Sequence, residues 1–241
     1  MEVERCWSHR ILPIVLLLLL LTGCTGERVR VEVPPKVPTE GIKTIAILEF
    51  TNESEDPGLA REMESVLIDY FRDRGQFTFI ERHRLQNVLG YRSLRTSSPR
   101  GLQELGSELG VDAFIIASAT YYLEDINVEP PRRYTAGPKG EDSYWLSRQV
   151  TTVIVEMVAR VVDARSGMII YSKSTEGRGE NYQNIRFPNW PGSQLQPPPF
   201  QFIPRPNRAD VYSTRREAIR SAVTFFAQDF YPTYKYVRVE D

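Results

Sequence analysis

Cysteine and histidine are the scarcest reactive residues of this chain, with two of each in 241 residues. Cys6 and His9 lie in an N-terminal segment that we expect to be cleaved, which leaves Cys24 and His83. A zinc site, a Cys-His pair or a Ser-His-Asp triad would each depend on that one remaining imidazole. We therefore expect no disulfide, no metal site, no cofactor and no catalytic residue, and His83 is interpreted as a surface residue.

Positive charge is not in excess either, because 30 Lys and Arg residues are balanced by 31 Asp and Glu residues, for a net charge of −1. Sequence-independent binding of DNA or RNA requires a basic patch that neutralises phosphates. The chain has no basic run that would supply such a patch. We therefore expect no nucleic-acid partner.

An enzyme built from carboxylates alone is an alternative. Its candidate residues are Glu53, Glu55 and Asp56, which lie in a turn-rich acidic segment. A run of charges of this kind is typical of a solvated loop. Neither a glycine-rich phosphate loop nor a metal-ligand spacing accompanies it, so the sequence predicts that the protein is not an enzyme.

The N-terminus has the three-part layout of a secretory signal. Arg5 and Arg10 precede an apolar stretch at 11–21, which is too short to span a bilayer. The run Leu21-Thr22-Gly23-Cys24 then matches a bacterial lipobox. We expect cleavage after Gly23 and lipidation of Cys24, which anchors the protein to a membrane through acyl chains. The alternative is an ordinary secretory signal that happens to contain a cysteine.

The remaining chain is expected to form one domain behind a tether. Residues 1–23 are the predicted signal peptide, and residues 24–42 are the lipidated cysteine and a proline-rich tether that reaches about 60 Å at most. A domain at 43–236 and a tail at 237–241 follow. Apolar periodicity in the domain predicts the order β-α-β-α-α-β-β-β-α. This order favours an α/β fold, a single three-layer-like sandwich with a mixed sheet, helices packed on it and one central antiparallel hairpin.

Two segments of the predicted domain, 124–148 and 178–210, are rich in proline and are interpreted as long loops. The second segment carries Phe187, Trp190, Phe200 and Phe202, which are candidate docking residues because aromatic side chains are enriched in interfaces. The alternative is that this loop folds over its own domain as a lid.

Four stretches of the chain resemble the curli-assembly lipoproteins, a CsgG-like family. The stretch 79–89 contains Glu81-Arg82 and Leu85-Gln86-Asn87, and it is similar to a signature of that family. The other three stretches are 45–50, 110–116 and 158–169, which are similar to the family's opening strand, a helix-to-strand passage and a hairpin. Read from the residues alone, Glu81 and Arg82 are a structural ion pair or a helix cap.

The resemblance implies a lipoprotein that acts without catalysis in secretion or cell-envelope assembly. One alternative is a subunit of an oligomeric outer-membrane secretion channel, to which each family subunit contributes two β-hairpins. Those hairpins would fall at 123–149 and 172–212, where Pro130, Pro131 and the run 197–199 argue against membrane-crossing strands. The other alternative follows from similarity to the lipoprotein activators of penicillin-binding proteins and is a docking activator of an envelope enzyme.

Location and partners follow from the same features. Thr25 stands where an aspartate would retain an enterobacterial lipoprotein in the inner membrane, so the resemblance implies outer-membrane anchoring on the periplasmic face. The expected partners are the membrane, through the N-terminal lipid, and a protein of the cell envelope. A homo-oligomer is also possible under the channel alternative.

Overall fold

The computed structural model describes residues 28–80, 82–92, 98–136, 142–187 and 196–238. The described residues form two compact units, a large one at 36–231 and a small one at 28–35 and 232–238. The eight strands of these described residues are β1 (Arg28–Val33), β2 (Thr44–Asn52), β3 (Thr78–Phe79), β4 (Ala113–Val128), β5 (Arg132–Ala136), β6 (Asp142–Asp163), β7 (Ile169–Phe187) and β8 (Thr233–Arg238). The α-helices of the same residues are α1 (Leu59–Arg74), α2 (Arg82–Arg92), α3 (Pro99–Leu109) and α4 (Arg208–Ala227).

The small unit is an antiparallel pair of β1 and β8, in register from Arg28 opposite Arg238 to Val33 opposite Thr233. The Arg30 guanidinium carbon lies 3.7 Å from the centre of the Tyr234 ring across this pair. The sequence predicts a tether at 24–42 and a tail at 237–241. The structure instead has β1 within the predicted tether, and β8 extends to Arg238 in the predicted tail.

The large unit is built on a six-stranded sheet in the order β3-β2-β4-β6-β5, with β7 also paired to β6. β2 is parallel to β3 and β4, whereas β6 is antiparallel to β4, β5 and β7. Trp145 and Leu146 of β6 pair with β7 as well as with β5. β5 therefore lies on the side of β6 that β4 occupies, and it continues the line of β4 beyond Pro130 and Pro131.

Helices cover both faces of the sheet. The core between the sheet and α1 and α4 contains fully buried side chains such as Ile115, Val155, Leu67 and Phe226. A second, smaller core on the opposite face joins Phe114 and other sheet residues to α2 and α3. These two cores confirm the predicted α/β sandwich with a mixed sheet, and the antiparallel pair β6–β7 is the predicted central hairpin.

The limits of the helices follow local chemistry. α1 ends at Gly75 and α3 at Gly110, and both glycines adopt a positive φ, 65° and 66°, that an L side chain disfavours. Ser98 caps α3 by accepting a hydrogen bond from the Gly101 amide, and Pro99 occupies the first turn. Asn207 caps α4 in the same way through the Ala209 amide.

The predicted loops at 124–148 and 178–210 are wrong over most of their described residues. β4 continues to Val128, β5 and the first half of β6 fill the first segment, and β7 continues to Phe187. These strands were unexpected because polar residues occupy both of their faces, which removes the apolar alternation that marks a half-buried strand. Among the described residues of the two segments, 129–131 and 196–207 keep the predicted irregular character, the latter with one short 3₁₀ turn at Phe200–Phe202.

The large unit also begins earlier than the predicted boundary at residue 43. Val37 is fully buried and Ile42 is buried in the same core. The backbone amides of Lys36 and Val37 donate to the Asp229 carbonyl at 2.9 and 3.0 Å, and the Lys36 ammonium lies 2.9 Å from the Asp229 carboxylate. Residues 36–42 therefore belong to the folded unit and not to a tether.

None of the helices in the described residues has the length and apolar composition needed to cross a membrane.

Two glycines of β7 allow α4 to pack directly on the sheet. A Cβ atom built on Gly177 would lie 2.0 Å from the Ala218 carbonyl oxygen, and one on Gly179 would lie 2.2 Å from the Thr214 carbonyl oxygen. Helix backbone cannot move away locally, so any side chain at these positions forces α4 off the sheet.

We expect Gly177→Ala to lower the free energy of unfolding by about 1–3 kcal/mol, because its methyl group overpacks this contact. Urea unfolding followed by circular dichroism measures the loss. Glu176→Ala, on the adjacent exposed position of the same strand, is the matched control and should change the free energy by less than about 0.5 kcal/mol. Equal effects of the two substitutions would contradict the close approach of α4.

Candidate docking surface

The sheet extends beyond the helices of one face. α2 and α3 pack against Phe114, Val162 and their neighbours at one end of that face. The other end is formed by the second half of β4, by β5, by the first half of β6 and by the second half of β7. No helix of the described chain belongs to a core with this end, and most of the β4 residues after Thr120 are exposed.

Register places a set of tyrosines and arginines together on this open end. Leu146 lies between Arg132 on one side and Arg186 on the other. Tyr144 pairs with Tyr134, and Arg148 pairs with Asn184. Because side chains two residues apart on a strand share a face, these residues form one surface with Tyr182. We call it the tyrosine–arginine face: Arg132, Tyr134, Tyr144, Leu146, Arg148, Tyr182, Asn184 and Arg186.

Stacking orders the side chains of the tyrosine–arginine face. The rings of Tyr134 and Tyr144 are stacked, with centroids 6.0 Å apart and planes 15° from parallel. The Arg186 guanidinium carbon lies 4.0 Å from the centre of the Tyr144 ring, and that of Arg148 lies 4.5 Å from the centre of the Tyr182 ring. Contacts of this kind hold a guanidinium by its flat side and leave its N–H groups directed outward.

A groove of about 390 Å³ crosses this face. Its walls include Arg132, Arg148, Tyr134 and Tyr182, and Glu129 is its one carboxylate among the described lining residues. In that described part of the chain, no carboxylate lies within ion-pair distance of Arg132, Arg148 or Arg186. Arginine therefore outnumbers carboxylate along the described lining of the groove, in a chain whose overall charge is close to zero.

The charge changes sign farther along the same face. The Tyr182 hydroxyl donates to Glu180, and the Arg178 Nε donates to the same carboxylate at 2.7 Å. These two hydrogen bonds, that of Tyr182 first, hold the pKa of Glu180 below its ordinary value. Glu180 thus remains ionised, and its carboxylate is engaged by Tyr182 and Arg178. Tyr182 in turn is fixed between this carboxylate and Arg148.

A second charged cluster, around Arg215, is structural. Arg215 of α4 contacts Asp56 in the turn before α1, and its Nε donates to Glu62 at 2.9 Å. Its guanidinium also lies over the Tyr122 ring, 5.2 Å from the ring centre. The Arg215 side chain is only 14% exposed, so this cluster joins α1, α4 and β4 and offers little surface to a ligand.

The candidate residues of the sequence analysis have mostly structural roles here. Asp56 is held by Arg215, and the Glu53 carboxylate accepts a hydrogen bond from the Ser118 hydroxyl at 2.7 Å. Arg82 pairs with Glu64 of α1 at 2.8 Å, whereas Glu81, its expected partner, lies outside the described residues. His83 is an exposed residue of α2.

The aromatic cluster proposed for docking is only partly described. Phe200 and Phe202 form a 3₁₀ turn and are 59% and 52% exposed, and Phe187 is the last residue of β7. Trp190 lies outside the described residues, and so does the predicted lipidation site, Cys24. Among the described residues, no group of three or more His, Cys, Asp and Glu side chains is arranged to hold a metal ion.

Sequence reasoning missed the tyrosine–arginine face because all of its residues lie in the two segments interpreted as loops. One signal was available. Between Arg178 and Arg186, charged or aromatic side chains stand at four of the five even-numbered positions and at none of the odd-numbered ones. This recurrence has the period of two that is typical of a strand, although hydrophobicity does not alternate with it.

The fold and this surface define a sandwich-type α/β domain whose sheet projects past its helices. A family model described as "Curli production assembly/transport component CsgG" matches residues 32–186, more than half of the chain. The protein belongs to the CsgG family, and the resemblance found in the sequence is confirmed. No curated protein sequence matches the chain significantly.

The chain also matches solved structures at low sequence identity. Lipoprotein GNA1162 from Neisseria meningitidis is 19% identical over 58% of this chain and 83% of its own, with a TM-score of 0.38. The LpoB C-terminal domain from Salmonella enterica is 13% identical over 68% and 92%, with a TM-score of 0.37. A PelC dodecamer from Paraburkholderia phytofirmans is 13% identical over 82% and 96%, with a TM-score of 0.35.

The Arg215 cluster generates a prediction about pH. The hydrogen bond from Arg215 holds the pKa of Asp56 below its ordinary value of 3.8. A carboxyl group with a lowered folded pKa stabilises the fold above its ordinary value and loses that contribution as the pH falls through the folded value. We expect Arg215→Met to lower the free energy of unfolding at pH 7 by about 2–3 kcal/mol, since two carboxylates lose their partner.

The difference between wild type and Arg215→Met should stay constant above pH 3.8 and shrink below it. Urea unfolding at a series of pH values measures this difference. Arg216→Met, on the next position of α4, is the control and should show neither effect. A difference that does not change with pH would mean that Arg215 stabilises the fold through packing alone.

Proposed function

We propose that this protein is a lipid-anchored lipoprotein of the outer membrane that faces the periplasm and acts without catalysis in secretion or envelope assembly. The observation that carries the proposal is the lipobox at Cys24 directly ahead of a CsgG-family domain. The family's description as a curli production assembly and transport component gives the class of process. The residue after the cysteine, Thr25, supports outer-membrane residence.

Its role in that process is to dock a protein partner. The described residues carry no cluster of metal-ligating side chains, and their charged clusters at Arg215, Arg82 and Lys36 are ion pairs that join elements of the fold. The tyrosine–arginine face differs from these clusters because its arginines are exposed, and because Arg148 and Arg186 are ordered by stacking on tyrosine rings. Tyrosine and arginine are enriched in the energetically important centres of protein interfaces.

A secretion channel formed by several copies is the second candidate function. The prolines of 123–149 and 172–212 argue against it in the sequence, but β4, β6 and β7 form long antiparallel pairs in just these segments. Pro130 and Pro131 lie between strands and not within one. Electron microscopy of the detergent-purified protein separates the two roles, because a channel gives large rings and a docking protein gives monomers or small oligomers.

Replacing Cys24 with Ser tests the anchor. A serine cannot form the thioether to diacylglycerol, so we expect the variant to move from the membrane fraction to the soluble fraction when cells are lysed without detergent. Labelling with a radioactive fatty acid should mark the wild-type protein and leave the variant unlabelled.

Cys6→Ser is the matched control, because Cys6 lies in the segment that is removed, and it should leave both fractionation and labelling unchanged. Density-gradient separation of the membranes then tests location. Recovery of the wild type with the inner membrane would refute outer-membrane residence, and a Cys24→Ser protein that still requires detergent for extraction would refute lipid anchoring.

A further inference from the structure

The tyrosine–arginine face has the chemistry of a site for a negatively charged partner. We propose that its groove binds an extended acidic peptide segment of a partner protein, with Arg132 and Arg148 as the principal anchors. This inference rests on the proposed docking role and adds to it the chemical nature of the partner.

Charge complementarity is the first argument. The groove is bordered by Arg132 and Arg148, and Arg186 stands beside Leu146 on the neighbouring strand. Glu129 is the one carboxylate among the described residues that line it. A guanidinium without a carboxylate partner forms strong, bidentate hydrogen bonds when a carboxylate is supplied. The ligand that this groove is equipped to bind therefore carries carboxylates or similar anions.

The stacking geometry favours an anionic ligand over a neutral, ring-stacking one. Arg186 covers a face of Tyr144 whose ring is also stacked on Tyr134, and Arg148 covers a face of Tyr182. The aromatic faces that would hold a sugar or another flat group are thus partly occupied from within the protein. The guanidinium edges, which donate hydrogen bonds to anions, are left for the ligand.

An open sheet edge beside the groove favours a peptide over a lipid headgroup. Within the described chain, β5 pairs with β6 and with no other strand. One edge of Arg132–Ala136 therefore presents backbone N–H and C=O groups to solvent, in the position where an extended peptide adds as a new strand. Side chains of such a peptide at every second residue would lie on the tyrosine–arginine face, next to Arg132.

The geometry predicts which of the three arginines contributes most to peptide binding. Arg132 lies on the edge strand itself, Arg148 one strand farther in, and Arg186 two strands in on β7. The contribution to binding should decrease in the same order. Arg133 provides a matched control, because it follows Arg132 on β5 but points to the opposite face, where its guanidinium lies 3.4 Å from the Ser143 hydroxyl.

The test measures binding of a fluorescent eight-residue peptide, in which Glu alternates with Val, to the detergent-purified full chain by fluorescence anisotropy. Binding should be specific for the acidic peptide over the same peptide with Gln in place of Glu, and it should weaken as salt is added. Arg132→Gln should weaken it roughly tenfold, since a charge-assisted hydrogen-bond pair is lost. Arg148→Gln should have a smaller effect, and Arg133→Gln should have none.

Further probes distinguish a strand-forming acidic peptide from other ligands of the groove. A peptide with proline at every second position cannot form strand hydrogen bonds, so it should bind more weakly than the parent peptide. Equal binding of the Glu and Gln peptides, or an Arg133→Gln effect as large as that of Arg132→Gln, would overturn the proposal. Displacement of the acidic peptide by short-chain phosphatidylglycerol at micromolar concentration would assign the groove to a lipid headgroup instead.

Self-association is the remaining alternative occupant. If Arg132→Gln changed the sedimentation coefficient of the protein but not its affinity for the acidic peptide, the face would be a contact between copies and the proposal would be wrong. All of these measurements use purified protein, so they do not depend on where the chain resides in the cell. Failure of peptide binding therefore leaves the Cys24 anchor untouched, and failure of the anchor leaves the binding result valid.

Discussion

The pairing of β6 along both of its edges is the constraint on which the rest of the structure depends. This strand has 22 residues, and it holds β4 and β5 on one side and β7 on the other. Buried backbone groups must find hydrogen-bond partners, and a strand paired on both sides satisfies them without help from its side chains. The sheet can therefore extend beyond α2 and α3, and the side chains on that part of the face need not be apolar because they belong to no core with these helices.

The sequence contains enough information to predict the part of the fold that has an apolar core. The stripe of α1 that includes Leu67, the alternation around Val155 and the glycines at 75 and 110 are all strong local signals, and the structure places each as expected. Prediction failed where the buried side chains are polar. Ser147, Gln149 and Thr151 are buried on β6 although they are polar, and their alternation with half-buried or exposed residues leaves no hydrophobic pattern to detect.

The start of the large unit was missed for a related reason. Val37 and Ile42 are five residues apart in a proline-containing stretch, a spacing that matches neither a helix nor a strand. Their burial depends on long-range contacts, namely the hydrogen bonds of residues 36 and 37 to the carbonyl of Asp229 near the other end of the chain. Contacts of this range leave no trace in local sequence. The candidate site was hidden in the same way, because register across three strands brings Arg132, Leu146 and Arg186 together.

Stability and the proposed recognition are therefore assigned to different parts of the large unit. The two cores and the Arg215 cluster hold the helices on the sheet, while the tyrosine–arginine face adds exposed stacking contacts worth about 0.5–1 kcal/mol each. Such contacts contribute little to the fold, but they fix the direction of long side chains that would otherwise lose conformational entropy on binding. Arg148 and Arg186 are already ordered by Tyr182 and Tyr144. A ligand that meets them gains charge-assisted hydrogen bonds without having to order the arginines first, which is the physical advantage of building a binding surface on strands rather than on loops.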